Sequence, residues 1–320
     1  MNRLANPASV TAEDVTSAAK RIAGLVERTP LIETKVGTTK VWLKCESLQT
    51  GRAFKLRGAT NRLLQLSDEE KQRGVVAFSS GNHAQGVAIA AKRLGVPAVI
   101  VMPADAPKVK VDATRSHEAE IIFYDRLTES REEIAEKLAQ ERGAVVVPSF
   151  DDVAIVAGQG TVGLEILDQM PEPPRLIIVP CGGGGLASGI ALACPDADIA
   201  IVEPEGWDDM KRSLEGGEIV PVAPNAPPTL CDALQTPRVS PITFEILRDR
   251  NAAAFSVTDE EVKEAVRFAW REHQMVVEPG GAAALAALLA GKVQPVDGTV
   301  AVVSGGNIDP DLHARIVDGV

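Results

Sequence analysis

Leu-Ile-Ile-Val-Pro-Cys-Gly-Gly-Gly-Gly-Leu-Ala-Ser-Gly (residues 176–189) joins a β-branched run to a small-residue helix through four bare glycines. Leu176 to Val179 reads as a buried strand and Leu186 to Ala193 as the helix that follows it. At Gly182, Gly183, Gly184 and Gly185 successive backbone N–H groups are free to close on a phosphate, and the helix dipole adds to the attraction. No lysine or arginine sits in the loop, so it lacks the Walker lysine. A plain turn is the alternative, and the rest of the chain has to decide.

Working outward, the strand and helix pattern repeats. Val75 to Phe78, Ala98 to Met102, Glu120 to Phe123, Ala144 to Val147, Asp198 to Val202 and Val300 to Val303 are further short apolar runs separated by helical stretches. That alternation predicts a doubly wound α/β protein with parallel sheets. Thr11-x-x-Asp14, Ser67-x-x-Glu70 and Thr258-x-x-Glu261 mark helix starts as capping boxes. The third leads into Val262, Ala265, Val266 and Ala269, a stripe expected to face the core. The alanine-rich segment from Gly280 to Gly291 is too short to span a membrane and predicts a buried helix. Pro221 to Pro228 predicts a loop.

At 320 residues the chain has room for two domains. Its net charge of −11 is spread without a long run of one sign, which argues against a nucleic-acid or anionic-membrane surface. Aromatic residues make up only 3%, with Tyr124 the single tyrosine, which argues against base-stacking platforms as well. Cys45, Cys181, Cys194 and Cys231 lie far apart, predicting neither a zinc site nor a disulfide framework. With no apolar signal stretch at the N-terminus, a reducing, cytoplasmic setting is the expectation.

Several other motifs carry chemistry. Thr50-Gly-Arg-Ala-Phe-Lys-Leu-Arg-Gly58 places Lys55 at the foot of a helix, beside Phe54, where desolvation lowers an amine's pKa. A reactive amine together with a phosphate loop suits pyridoxal phosphate held as an imine on Lys55. Ser79-Ser80-Gly81-Asn82-His83 is a strand-to-helix turn at the carboxyl end of Val75 to Phe78, where parallel sheets bind ligands and a helix start favours a carboxylate; an ordinary serine cap is the alternative. Glu203-Pro-Glu-Gly-Trp-Asp-Asp209 offers oxygen ligands for Mg²⁺ or Ca²⁺, or else a solvated acidic turn. Ser304 either meets a heterocycle nitrogen or caps its turn. Gly158-Gln-Gly-Thr-Val-Gly163 matches the dinucleotide pattern Gly-x-Gly-x-x-Gly, but it follows no strand directly and is assigned to helix packing.

In this order, from about Thr11 to Asn307, the segments resemble the fold-type II pyridoxal-phosphate enzymes, specifically the serine/threonine dehydratase and serine racemase group. The resemblance implies an α/β fold of the tryptophan synthase β type with two doubly wound open-sheet domains. A large domain from residues 1–73 and 152–320 would enclose a small mobile domain at 74–151. Lys55 would carry the cofactor, Phe54 line its ring, Asn82 bond the ring hydroxyl, Gly182 to Gly185 hold the phosphate and Ser304 meet the pyridine nitrogen. Ser79, Ser80, Gly81, Asn82 and His83 would clamp the substrate carboxylate. Glu203, the carbonyl of Trp207, and Asp209 fall on the group's divalent-metal site. Arg131 aligns with a residue near a second carboxylate.

The implied activity is α,β-elimination: Lys55 removes the α-proton of a β-hydroxy-L-amino acid of the threonine or serine type, the β-hydroxyl leaves, and a 2-oxo acid and ammonia result. A neutral serine at the ring nitrogen leaves it unprotonated and weakens the electron sink, which suits prompt elimination. Ser80 matches the acid/base that racemases use on the opposite ring face, so serine racemisation is an alternative. Arg52-Ala53 replaces the usual Gly-Ser, and Arg52 or Arg131 would favour an acidic substrate such as 3-hydroxyaspartate. A homodimer is implied; the isoleucine-binding regulatory domain of threonine deaminases is not expected after Ser304. A non-catalytic cofactor-binding or phosphate-ligand-binding protein is the alternative from another class.

Overall fold

The computed structural model describes residues 10–79, 81–106, 108–125 and 127–319. Among the described residues there are ten strands: β1 Leu31–Val36, β2 Thr39–Cys45, β3 Val75–Phe78, β4 Ala98–Pro103, β5 Glu120–Tyr124, β6 Val145–Val146, β7 Leu176–Pro180, β8 Asp198–Pro204, β9 Ala253–Val257 and β10 Thr299–Val303. They form a six-stranded sheet in the order β1-β2-β10-β7-β8-β9 and a four-stranded sheet in the order β5-β4-β3-β6. The smaller sheet draws only on the middle of the chain, and the larger on both sides of it.

Every expected strand lies within or overlaps an observed one, but the expected set omits β1, β2 and β9. The larger sheet is also mixed, since β1 runs antiparallel to β2. A two-residue connection at Gly37 and Thr38, with Gly37 at φ +60°, turns the chain directly back, whereas a parallel neighbour needs a crossover.

All three capping boxes form, each with reciprocal side-chain and backbone hydrogen bonds. Val262, Ala265, Val266 and Ala269 are fully buried on the helix Asp259–His273. The helix Pro279–Leu289 is buried along almost its whole length, between that helix and strands β7, β8 and β10. Its alanines and glycines permit close approach on two sides at once. Gly158, Gly160 and Gly163 lie in the helix Val153–Gln169, where an added Cβ would come 2.6 Å from Gly58 Cα, 2.7 Å from the Gly189 carbonyl and 2.7 Å from Ala193 Cβ respectively. The dinucleotide-like pattern is therefore a helix-packing surface.

A buried ionic network fixes the segment leading into Lys55. Arg57, fully buried, donates to both oxygens of Glu46 at 2.8 Å and to Glu165 at 2.7 Å, while Lys44 reaches Glu165 at 2.6 Å. No described helix is long and apolar enough to cross a membrane. All four cysteines are free and buried.

Candidate active site

A cavity of about 400 Å³ opens at the carboxyl ends of β3, β7 and β10, within the range of small-molecule sites. Lys55 enters it as the first residue of the helix Lys55–Leu63. Just upstream, Ala53 forms an antiparallel bridge to Gly305, and the Phe54 N–H donates to the Ser304 carbonyl at 3.2 Å. These contacts set Lys55 and Ser304 on the walls of one cavity. The Lys55 amine donates to the Ser149 carbonyl at 2.9 Å and lies 5.1 Å from the centre of the Phe54 ring. Lys55 keeps part of its surface because it lines the cavity, yet protein crowds its amine, and that desolvation lowers its pKa to about 8.

The glycine loop leaves β7 and starts the helix Gly185–Ala193, with Gly184 in the left-handed region at φ +84°. Gly182 to Gly185 all line the cavity. At Gly183 a Cβ would meet the Phe150 ring at 2.2 Å, and at Gly182 it would meet Thr236 Oγ1 at 3.0 Å. The loop is a backbone cradle with no room for side chains, as a phosphate site at a helix start requires.

From β3, Ser79, Gly81, Asn82 and His83 reach the opposite wall, the last two in the first turn of the helix Asn82–Leu94. First-turn N–H groups lack intrahelical acceptors and suit a carboxylate. Ser80 lies outside the described residues. His83 Nε2 meets the Val147 carbonyl at 2.9 Å, and since a carbonyl only accepts, Nε2 carries the proton. Nδ1 is then a bare, buried acceptor without a partner. Burial, with the nearby Lys55 charge adding to it, pushes the His83 pKa down to about 3. The imidazole has no N–H to offer a carboxylate, so a part for His83 in the expected clamp is confined to its backbone N–H.

Asn82 sits in a chain of amides. Asn307 Nδ2 donates to the Gly51 carbonyl and to Asn82 Oδ1, both at 2.8 Å, and Asn82 Nδ2 donates to Glu278 Oε1 at 2.5 Å. Ser304 follows β10 and lines the same cavity. Sequence reasoning missed Glu278, although one acid between Met275-Val-Val and Pro279-Gly-Gly in an apolar run was a signal of a buried charge. It also missed Ser149 and Phe150, whose positions depend on how the two sheets meet.

Arg131 begins the helix Arg131–Arg142 and lines the cavity, with its guanidinium 5.5 Å from the Phe78 ring centre and Nε bonded to Glu132 at 2.8 Å. Arg52 behaves differently. Its side chain is exposed and it is not among the cavity's lining residues. Its φ of +55° accounts for glycine being usual there, and an L-residue accepts roughly 1–2 kcal/mol of strain in that conformation.

Glu203, Trp207 and Asp209 lie apart from the cavity lining. Both Glu203 oxygens cap the helix Asp209–Gly216, accepting from Met210 N at 3.0 Å and Lys211 N at 2.8 Å. Asp209 is fully buried, and neither of its oxygens has a hydrogen-bond partner. Burial, joined by repulsion from Asp209, raises Glu203 well above the usual carboxylate range, and burial raises Asp209 to about 7. Unpartnered carboxylate oxygens in a dry setting suit a hard cation. Among the described residues no cluster of three or more His, Cys, Asp or Glu side chains forms a metal site, so a cation here would also need backbone carbonyls.

The family model for pyridoxal-phosphate dependent enzymes matches residues 22–305. An L-threo-3-hydroxyaspartate ammonia-lyase from a Pseudomonas sp is 43% identical over 96% of this chain and 98% of its own length. A protein of the same name from Saccharomyces cerevisiae is 41% identical, covering 96% of each chain. The structure of maize serine racemase superposes with a TM-score of 0.90 at 37% identity, over 97% of this chain and 98% of that one.

Proposed function

Because this chain belongs to the pyridoxal-phosphate dependent enzymes, in the group of ammonia-lyases and serine racemases, we propose that its substrate is L-threo-3-hydroxyaspartate, from which it eliminates the hydroxyl to give a 2-oxo diacid and ammonia. The observation that carries the choice is Arg131, a guanidinium on the wall of the cavity that holds Lys55. The names of two relatives above 40% identity support it.

Lys55, Asn82, Gly182 to Gly185 and Ser304 would hold the cofactor, with Phe54 along its ring. When bound, pyridoxal phosphate supplies the electron sink that makes the substrate α-proton removable. Lys55 takes that proton as general base; its amine is partly neutral near pH 8. The Ser149 carbonyl then accepts from the resulting ammonium. Backbone N–H groups around Gly81 to His83 bind the α-carboxylate, and Arg131 pairs with the β-carboxylate through charge-assisted hydrogen bonds. The β-carbon to hydroxyl bond breaks and the hydroxyl leaves as water with the proton that Lys55 took. The enamine released tautomerises to an imine, which takes up one water to give the 2-oxo diacid and ammonia. Closure of the small domain, residues 74–151, over the rest of the chain excludes solvent. Glu203, Asp209 and the Trp207 carbonyl would hold Mg²⁺ or Ca²⁺ as a stabilising ion. A cytoplasmic homodimer is the assembly proposed.

Serine racemisation is the second reading, supported by the likeness to maize serine racemase, with Ser80 as the acid/base on the far ring face. The decisive experiment supplies the purified protein and pyridoxal phosphate with L-threo-3-hydroxyaspartate, L-serine, L-threonine and D-serine, measuring 2-oxo acid and amino-acid chirality. The reading fails if L-serine or L-threonine has the higher kcat/KM. A non-catalytic binding protein would form no product from any of them.

A further inference from the structure

The amide chain around Asn82 has a fixed polarity. The Gly51 carbonyl accepts only, so the Asn307 atom facing it is Nδ2, and the Asn82 atom facing the same Nδ2 is Oδ1. Asn82 Nδ2 therefore points at Glu278 Oε1, leaving its second N–H unspent. Glu278 is 2% exposed and stands just before the helix Pro279–Leu289. Its other oxygen, Oε2, is buried without a partner, although the side chain lines the cavity. Gly305 makes room for it, since a Cβ there would lie 1.9 Å from Oε1.

No ion pair neutralises Glu278 among the described residues. Lys110, on the helix Lys108–Ser116, is bonded instead to Asp232, and Arg52 is exposed. An ionised Glu278 would leave an unpaired charge in a dry wall, and a protonated one would place a donor there.

We propose that Glu278 is a positioning residue that works as a neutral carboxylic acid, fixing the Asn82 amide through Oε1 and keeping its proton on the buried Oε2, so that the cofactor ring meets the Asn82 amide with no carboxylate charge behind it. Burial raises its pKa to about 7; Asp232 pushes the same way, while Lys110, the Asn82 hydrogen bond and Arg52 oppose. Glutamine at this position keeps the acceptor for Asn82 and an N–H where the O–H was, without any charge. The inference rests on the cavity holding pyridoxal phosphate as proposed above.

Two measurements test it. Infrared difference spectra of the cofactor-free enzyme, wild type minus Glu278→Gln, should show a carboxylic-acid C=O band at about pH 6 that gives way to carboxylate at about pH 8.5. Because cofactor is absent, this result stands or falls separately from the role of Lys55. Cofactor affinity is then measured for both proteins, in which Lys55 titrates alike. Equal affinity is expected at about pH 6, and a roughly tenfold advantage for Glu278→Gln at about pH 8.5. The proposal is overturned if the band is carboxylate at both pH values, if the affinity ratio does not change with pH, or if glutamine abolishes cofactor binding throughout. Were the variant to misfold, a ¹³C-labelled glutamate carboxyl in a Glu203→Gln background, where Glu278 is the buried glutamate left with a raised pKa among the described residues, would still show whether it titrates near pH 7.

Discussion

The Lys55 amine donates to the Ser149 carbonyl at 2.9 Å, tying the helix that begins at Lys55 to the segment that leaves β6 in the smaller sheet. That helix packs in the same apolar core as β3 and β4, so the hydrogen bond fixes the amine against the smaller sheet's side of the cavity, where the cofactor would attach. It holds the amine inside the cavity and ready to be exchanged.

Covalent uptake of pyridoxal phosphate by the cofactor-free enzyme should slow as pH falls below about 8, because the ammonium form of Lys55 cannot attack. The sign follows from the lowered pKa: above about 8 most of the amine is neutral, and at one and a half pH units below that value the neutral fraction has fallen roughly thirtyfold. Stopped-flow absorbance would follow the uptake. Lys55→Ala should lose it at every pH, and 2-oxo acid formation should fall by a factor on the order of 10³ or more. A pH-independent uptake rate would contradict the desolvated amine.

What the sequence made legible was local. Gly182 to Gly185 after an apolar run, Asn82 at a helix start and the three capping boxes are all short-range signals, and each lies where its neighbours in sequence put it. The hairpin β1–β2 was equally local, with a glycine-containing two-residue turn, but its strands carry Lys35, Lys40 and Lys44 and do not read as an apolar run. Ser149 and Phe150 were illegible for a different reason, and for Glu278 the sequence signalled a buried acid but not its partner. Their roles arise only when distant segments meet, as when Gly305 is kept small so that Glu278 can reach Asn82. Arg52 shows the opposite error: near Lys55 in sequence, it is exposed and does not line the cavity.

Gly183→Ala should weaken cofactor binding without unfolding the protein. The new Cβ would fall 2.2 Å from the Phe150 ring, which also lines the cavity, so the ring has to move. Overpacking of this kind costs about 1–3 kcal/mol, and a loss of cofactor affinity of roughly tenfold or more is expected, read from an absorbance titration. Unchanged affinity would mean that Gly183 is not part of the phosphate cradle.

Glu46→Ala should be among the most damaging substitutions outside the cavity. It strands fully buried Arg57, which bonds both Glu46 oxygens, and removing one partner of a buried pair costs about 3–5 kcal/mol. Thermal or urea unfolding of the cofactor-free protein would measure it. A loss below about 1 kcal/mol would show that Glu165 alone satisfies the guanidinium.

Asp209 offers a test of the cation. Its unpartnered buried oxygens predict that Mg²⁺ or Ca²⁺ raises Tm and that a chelator reverses the gain. Asp209→Asn should abolish the response while making the metal-free protein no less stable, since the uncompensated charge is gone. A cation response that survives in Asp209→Asn would place the ion elsewhere.

Arg131 decides the substrate. Its guanidinium lies over the Phe78 ring and is bonded to Glu132, so it is already partly compensated before any substrate arrives. A second substrate carboxylate therefore has to displace or share that contact. The planar guanidinium can bond two carboxylates at once, which an ammonium cannot do in the same geometry. Arg131→Lys should accordingly lower kcat/KM for L-threo-3-hydroxyaspartate appreciably, and Arg131→Gln should lower it further, by about 2–5 kcal/mol, or roughly thirtyfold or more. Turnover of L-serine, which has no second carboxylate, should change by less than about threefold in both. Steady-state 2-oxo acid assays on both substrates give the answer. Equal losses for serine and hydroxyaspartate would make Arg131 a structural residue of the cavity wall and remove the main support for an acidic substrate.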